Sequence, residues 1–351
     1  MRKLFSSLLL FAALTLLLPI AAAALSGGGL PQVDAFTAML SKPGAGAGAS
    51  SAASQAGQGD ADAAWASQAL PILNSATGEV ETVSLRDFLI GAAASEMPIS
   101  YQKEAFKAQI VAAHSYALAN RDAQLSAPDP ALNGAWFKAN PAGYEGYIKP
   151  ESLKTLWGDK YDANYAYLST LVDEVGAQVL TYDGAAALTT YYAISNGKTE
   201  SSEAVWGTAL PYLSTVDSPL DLTSPDYEQT VTLSSQDVYD RLNLSFLALD
   251  LSGAPNTWFG EAVRDEAGYI ATMPVGGQTL KGTELRAALG LRSADFDVSV
   301  DAENQFTFTT RGYGHGAGLS QYGANAMAIT GKTYAEILAY YYPGTALGAA
   351  G

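Results

Sequence analysis

Apolar residues three and four positions apart, Leu85, Phe88, Leu89 and Ala92, describe one face of a helix. Ser84 and Asp87 supply a capping-box start, and Pro98 stops the helix with Glu96 at its C-terminal edge. A second helix runs from about Tyr101 to Arg121, with Phe106, Ile110, Ala113 and Ala117 on one face. Residues 122–150, rich in Pro, Asn and Gly, read as a long loop, a kind that carries function or is an insertion. Val179–Tyr182 and Ala185–Ser195 are strand-like runs that flank Asp183-Gly184, a hairpin signal. Asn196-Gly197 then turns the chain into Lys198-Thr199-Glu200.

From Tyr227 to Val300 the pattern reads as an added α+β module, with a helix near Ser235–Leu242, a hairpin through Glu266-Ala267-Gly268 and a helix after Thr283. Further on, glycine occupies positions 312, 314, 316 and 318. In an extended strand all four share one face, with Tyr313, His315, Ala317 and Leu319 on the other. The bare face admits another backbone or a ligand. Ser320 caps a helix to about Ile329, and Thr333 with Glu336 opens a last helix ending at Pro343-Gly344. The expected fold is α+β: a helical N-terminal half packed on mostly antiparallel β-hairpins. It fills residues 69–346, with the inserted module at 227–302 and a tail at 347–351.

The N-terminus differs in kind. Arg2 and Lys3 precede an unbroken apolar run, Leu4 to Leu18, followed by Pro19 and the small residues Ala21 to Ala24. Residues 1–25 read as a secretory signal or as an uncleaved anchor, and both readings export the rest of the chain. Residues 26–68, mostly Gly, Ala, Ser and Gln, read as a flexible tether.

Composition narrows the chemistry. The 351 residues are 48% hydrophobic, enough for a sizeable core, and the net charge of -16 repels phosphate backbones, so no nucleic acid partner is expected. With no cysteine there is no disulfide, thiolate chemistry or cysteine-ligated zinc. Two histidines, His114 and His315, give a metal site little to work with. Tyrosine occurs 20 times and tryptophan five times, which suits stacking on sugar rings and equally suits core filling.

Glu96 sits where a helix C-terminus meets an apolar corner, a place where desolvation raises a carboxyl's pKa and keeps it able to protonate a glycosidic oxygen. The plainer reading is a solvated surface glutamate. Lys198, Thr199 and Glu200 are either presented by the hairpin exit or form an ordinary polar turn. His315 either orients a partner or is a half-buried strand histidine. Gln321 lies in the first turn of its helix, where it can satisfy backbone groups. His114 falls on a mostly apolar face, the position of a core histidine.

Several blocks together resemble one family. They are Ser95-Glu-Met-Pro, Lys107-Ala-Gln-Ile-Val-Ala-Ala-His-Ser-Tyr-Ala-Leu118 and Ser195-Asn-Gly-Lys-Thr-Glu-Ser-Ser-Glu-Ala-Val-Trp206. Pro211–Pro219, Leu280–Ser293 and the glycine-strand segment through Gln321-Tyr-Gly-Ala324 complete the set. The segment from about Val83 to Gly344 resembles the family of the stage II sporulation protein D (SpoIID) and the amidase enhancer LytB. The resemblance implies an exported lytic transglycosylase, anchored at the membrane facing the wall or secreted. It would cut peptide-free peptidoglycan glycan strands during engulfment, with Glu96 as catalytic acid. It implies glycan contacts from His114, Ser195, Asn196, Lys198, Thr199, Glu200, Tyr313, His315 and Gln321. The implied partners are a cell-wall amidase and other engulfment membrane proteins, with no cofactor. Two features depart from the family: His114 stands where an arginine is usual, and residues 119–150 lack the cysteine and histidine that bind zinc in some relatives, so no metal is expected. The competing readings are a wall-binding amidase enhancer that cuts nothing, and a glycosidase with Glu200 or Glu203 as second carboxylate.

Overall fold

The computed structural model describes residues 65–350. The expected signal or anchor at 1–25, and the tether as far as residue 64, lie outside the described residues. The tether's expected end at residue 68 is corrected. Trp65 packs against the core beside the His114 ring, with centroids 6.5 Å apart, and its ring lies over Gly176 where a Cβ would come within 2.3 Å. Trp65 therefore already belongs to the folded domain, because an aromatic ring at that position has a core to enter.

A hairpin, β1 (Ala69–Asn74) and β2 (Val80–Ser84), leads into α1 (Leu85–Glu96). Ser84 caps α1 as its sequence predicts, its side chain accepting from the Asp87 N–H. After Pro98 comes α2 (Lys103–Ser126), which ends five residues later than expected. Its many alanines let neighbours approach from several sides, and it packs against α1 at the centre of the larger core. Phe88, Leu89, Phe106 and Ile110 are almost wholly buried there, each worth about 1.5–3 kcal/mol of apolar burial.

The stretch expected to be one long loop contains β3 (Phe137–Ala139), which runs parallel to β1 with Phe137 opposite Ile72. Its last residues return to α1, where Ile148 N–H donates to Gly91 O at 3.1 Å. A Cβ on Gly91 would meet Ile148 O at 2.2 Å, so glycine is what admits this contact. Next come α3 (Pro150–Trp157) and α4 (Tyr161–Val175), the latter packed on α1 and α2.

The Asp183-Gly184 hairpin forms between β4 (Gln178–Tyr182) and a very short β5 (Ala185–Ala186). The expected second strand does not run on to Ser195. The chain leaves β4 and reforms as β6 (Tyr191–Tyr192), followed by α5 (Ser202–Trp206). The added module has its own core of Val238, Leu242, Trp258, Leu285, Phe306 and Phe308. It is built from β7 (Glu228–Ser234), α6 (Ser235–Ser245), β8 (Val263–Arg264), β9 (Ile270–Val275), β10 (Gln278–Lys281), α7 (Gly282–Leu289), β11 (Phe296–Val300) and β12 (Gln305–Arg311). Since β12 pairs with β7 along its whole length, the module extends to Arg311 rather than stopping at 302.

The glycine run is not an extended strand. Gly312, Gly314, Gly316 and Gly318 all have positive φ, between 79° and 118°. Alternate glycines here mean alternate left-handed residues, a conformation closed to most side chains. The bare face is real: a Cβ on Gly318 would lie 2.0 Å from Thr190 O, and one on Gly312 2.8 Å from Ile194 O. The run thereby presses onto residues 190–200 and ends in β13 (Leu319–Ser320), parallel to β6. The chain closes with α8 (Gln321–Ile329), α9 (Tyr334–Tyr341) and β14 (Ala346–Ala349). β14 pairs antiparallel with β4, so the expected tail begins as a strand of the sheet. The fold is α+β, with antiparallel pairs outnumbering the parallel β1–β3 and β6–β13. No helix among the described residues is long and apolar enough to cross a membrane.

Candidate active site

Glu96 is the last residue of α1, half-buried, and two elements distant in sequence reach it. Gln321, at the first position of α8, donates from Nε2 to Glu96 Oε2 at 3.0 Å. The same nitrogen lies 3.5 Å from Gln109 Oε1 on α2. The Gly146 backbone N–H, from the turn after β3, also bonds the Glu96 carboxyl. Burial pushes that carboxyl above its ordinary range; the Gln321 and Gly146 donors pull it back, and the charge of Glu145 adds to the upward push. Tyr116, on the same face of α2 as Gln109, and Tyr191 of β6 both feel the Glu96 charge. Burial first, then Glu96, pushes the Tyr116 phenol to about 12 and the Tyr191 phenol well above its usual value.

The local architecture explains this assembly. Parallel pairing of β6 with β13 sets Leu319 opposite Tyr191, and Ser320 then caps α8, so Gln321 emerges beside Tyr191. The cap is itself anchored. Ser320 Oγ donates to buried Asp221 at 2.8 Å, and the Ser195 side chain and N–H bond the same carboxylate.

Of the residues expected to contact substrate, Gln321 alone meets Glu96. Ser195 is fully buried on Asp221, so its expected glycan contact is corrected to a structural one. Thr199 is also buried, donating to Ser214 O and accepting from Val216 N–H, and is corrected likewise. Asn196 ties the larger core to the module, its Nδ2 bonding Ala267 O at 3.0 Å and Asp295 at 3.1 Å. Lys198 is exposed, with Nζ 4.0 Å from Asp217. Tyr313 is half-buried under the Arg292 guanidinium, 4.7 Å from its ring centre.

His315 sits between Tyr192 and Trp206. Its Nδ1 accepts from Ala317 N–H at 3.1 Å, so Nε2 carries the proton and donates to Tyr191 O at 3.0 Å. Burial holds it neutral, pushed down to about 3. With Glu200, Glu203, Asp265, Tyr269 and Lys281, His315 lines a cavity of about 250 Å³ between the core and the module.

His114 is the clearest correction. It is 0% exposed, on the side of α2 that faces Trp65 and the 176–178 turn. Its ring nitrogens face the carbonyls of Gln178 and Gly176 without a well-formed hydrogen bond, and burial pushes it down to about 4. A neutral imidazole enclosed there reaches no glycan and supplies no cation. Gln109, Tyr116, Tyr191 and the Glu145-Gly146 turn are site residues that sequence reading missed. The available signal was Gln109 itself, a glutamine inside the apolar run from Phe106 to Ala113. Among the described residues no group of three or more His, Asp or Glu is placed to hold a metal ion.

Comparison with known proteins bears on what this site belongs to. The stage II sporulation protein family model (SpoIID) matches residues 74–182. The chain is 37% identical over 279 residues to the stage II sporulation protein D of Bacillus subtilis, covering 79% of this chain and 78% of the relative. It is 35% identical over 276 residues to the protein of the same name from Bacillus amyloliquefaciens, covering 79% and 77%. The amidase enhancer of Bacillus subtilis is 27% identical over 317 residues, covering 74% of this chain and 40% of the relative. With an identity of this level over most of both chains, this protein belongs to the stage II sporulation protein D family.

Proposed function

We propose that this protein is a sporulation peptidoglycan lytic transglycosylase, exported and facing the wall, that cleaves peptide-free glycan strands. The observation that carries the reading is the Glu96 carboxyl: desolvated, biased toward its acid form, and faced by an amide and a backbone N–H rather than a cation. Such a group can give a proton and hold it again afterwards.

In the proposed reaction Glu96 protonates the oxygen linking muramic acid C1 to the next sugar, and that C1–O bond breaks. The muramic acid C6 hydroxyl then attacks C1 while Glu96 takes its proton. The products are a 1,6-anhydro end and a free hydroxyl on the departing sugar, and no water is consumed. One carboxyl suffices, which matches the separation of Glu200 and Glu203 into another cavity. The sign of the pH dependence follows from the raised carboxyl: activity is present while Glu96 is protonated and is lost as pH rises through its folded pKa.

A glycosidase reading has one observation in its favour, since Glu145 is near enough to act on Glu96 and could serve as the second carboxylate. The relative named an amidase enhancer supports a binding-only reading. Mass spectrometry of peptide-free glycan digested by the full chain separates the three. Anhydro ends support the transglycosylase, new reducing ends the glycosidase, and an absence of new ends the enhancer.

A further inference from the structure

Gln109 is wholly buried, yet its Nε2 has no hydrogen-bond partner. An orphaned buried N–H is costly and rare, more so than an under-satisfied carbonyl. Its other end, Oε1, faces the Gln321 nitrogen that donates to Glu96. Three groups thus stand in a row: the Gln109 amide, the Gln321 amide and the Glu96 carboxyl. In this arrangement the row suits a carboxylate, because Gln321 presents N–H to Glu96. It leaves the Gln109 amino group stranded.

Turning both amides end for end gives the complementary arrangement. Gln321 then presents its carbonyl oxygen to a protonated Glu96, and Gln109 presents N–H to the same oxygen. The stranded amino group gains a partner only when Glu96 carries its proton. We propose that Gln109 is a positioning residue that acts through Gln321, turning with it as Glu96 gains and loses its proton and favouring the acid form. This rests on Glu96 being the proton donor only for its consequence in catalysis; the coupling itself is a property of the three side chains. The other titratable groups facing Glu96 are Glu145 from the turn after β3, Tyr116 from α2 and Tyr191 from β6. The phenols are held neutral, and Glu145 also favours the acid form, so none of them supplies the amide-dependent part.

The test titrates the Glu96 side-chain carbon by NMR in the full chain, its signal identified by its loss in Glu96→Gln. Gln109→Met keeps the volume and removes the amide, so the stranded group's penalty on the carboxylate disappears. The Glu96 midpoint is expected to fall by about one pH unit. The alkaline limb of cleavage falls with it, KM stays unchanged, and the melting temperature holds or rises. Gln109→Leu provides the same measurement should the methionine variant fold poorly. In a Gln321→Met background Gln109→Met should have no effect on the midpoint, because Gln109 acts through Gln321. A midpoint that stays or rises in Gln109→Met, or that falls equally without Gln321, overturns the coupling. Cleavage retained by Glu96→Gln would instead remove the catalytic reading and leave the titration result standing.

Discussion

Glu96 and Glu200 are both acids whose carboxyls burial pushes upward, and the company each keeps is different. Glu96 meets the Gln321 amide of α8, which is itself backed by the Gln109 amide of α2, and a backbone N–H from the turn after β3. Glu200, pushed up to about 8 by burial first and then by Asp265 beside it, accepts from Ser201 N–H at the junction of core and module. Amides can turn to serve either protonation state, whereas a facing carboxyl is best served by one shared proton. A raised carboxyl alone therefore does not mark a catalytic acid; its neighbours' ability to accommodate both states does.

The largest expected contrast comes from neutralising each acid in turn. Glu96→Gln should lower the cleavage rate by about 10²–10⁴-fold, the usual worth of a general acid, with the fold retained. Glu200→Gln should leave the rate within about twofold. Equal losses in the two variants would erase the distinction.

His114→Arg should be costly to stability rather than to chemistry. It places a permanent charge against Trp65, and an uncompensated buried charge destabilises by about 3–5 kcal/mol. Chemical denaturation checks this, and an unchanged midpoint would mean that the arginine finds water or a partner. Gln321→Leu removes the donor that pulls the Glu96 carboxyl down. Its expected cost is about 10- to 100-fold in rate, with the alkaline limb moved upward, opposite to Gln109→Met.

The smallest effect is the pH dependence of the junction. With its folded pKa raised, Glu200 binds its proton more tightly in the folded state. Its contribution to stability is full below the unfolded value of 4.5 and declines as pH rises to about 8. Glu200→Gln should flatten part of the fall in melting temperature over that range. A fall of the same size in the variant would place its origin elsewhere, in Glu96 among others.

Much of the helical framework was legible because caps are local: Ser84, Ser320 and Thr333 each announce a helix start through their own side chain. The module's elements were legible for the same reason, but its end at Arg311 was not. That boundary depends on β12 finding β7 some 70 to 80 residues away. The glycine run illustrates a true ambiguity. A period of two fits both an extended strand and alternating left-handed residues, and only contact with residues 190–200 selects the second. Glu96 could be named from its helix end and its family block. Its meeting with Gln321, 225 residues away, follows from the β6–β13 pairing and leaves no periodic trace. Ser195, Asn196 and Thr199, neighbours in one family block, hold Asp221, the module and the 214–216 segment, roles that spacing alone cannot distinguish from substrate contact.

The central claim is that Glu96 passes a proton between two sugar oxygens without water entering the bond. Digestion of peptide-free glycan in ¹⁸O-water, followed by mass spectrometry, tests it directly. Anhydro ends without ¹⁸O are expected from the wild-type chain, and no new ends from Glu96→Gln. Reducing ends that carry ¹⁸O, or anhydro ends made by a folded Glu96→Gln protein, would contradict it.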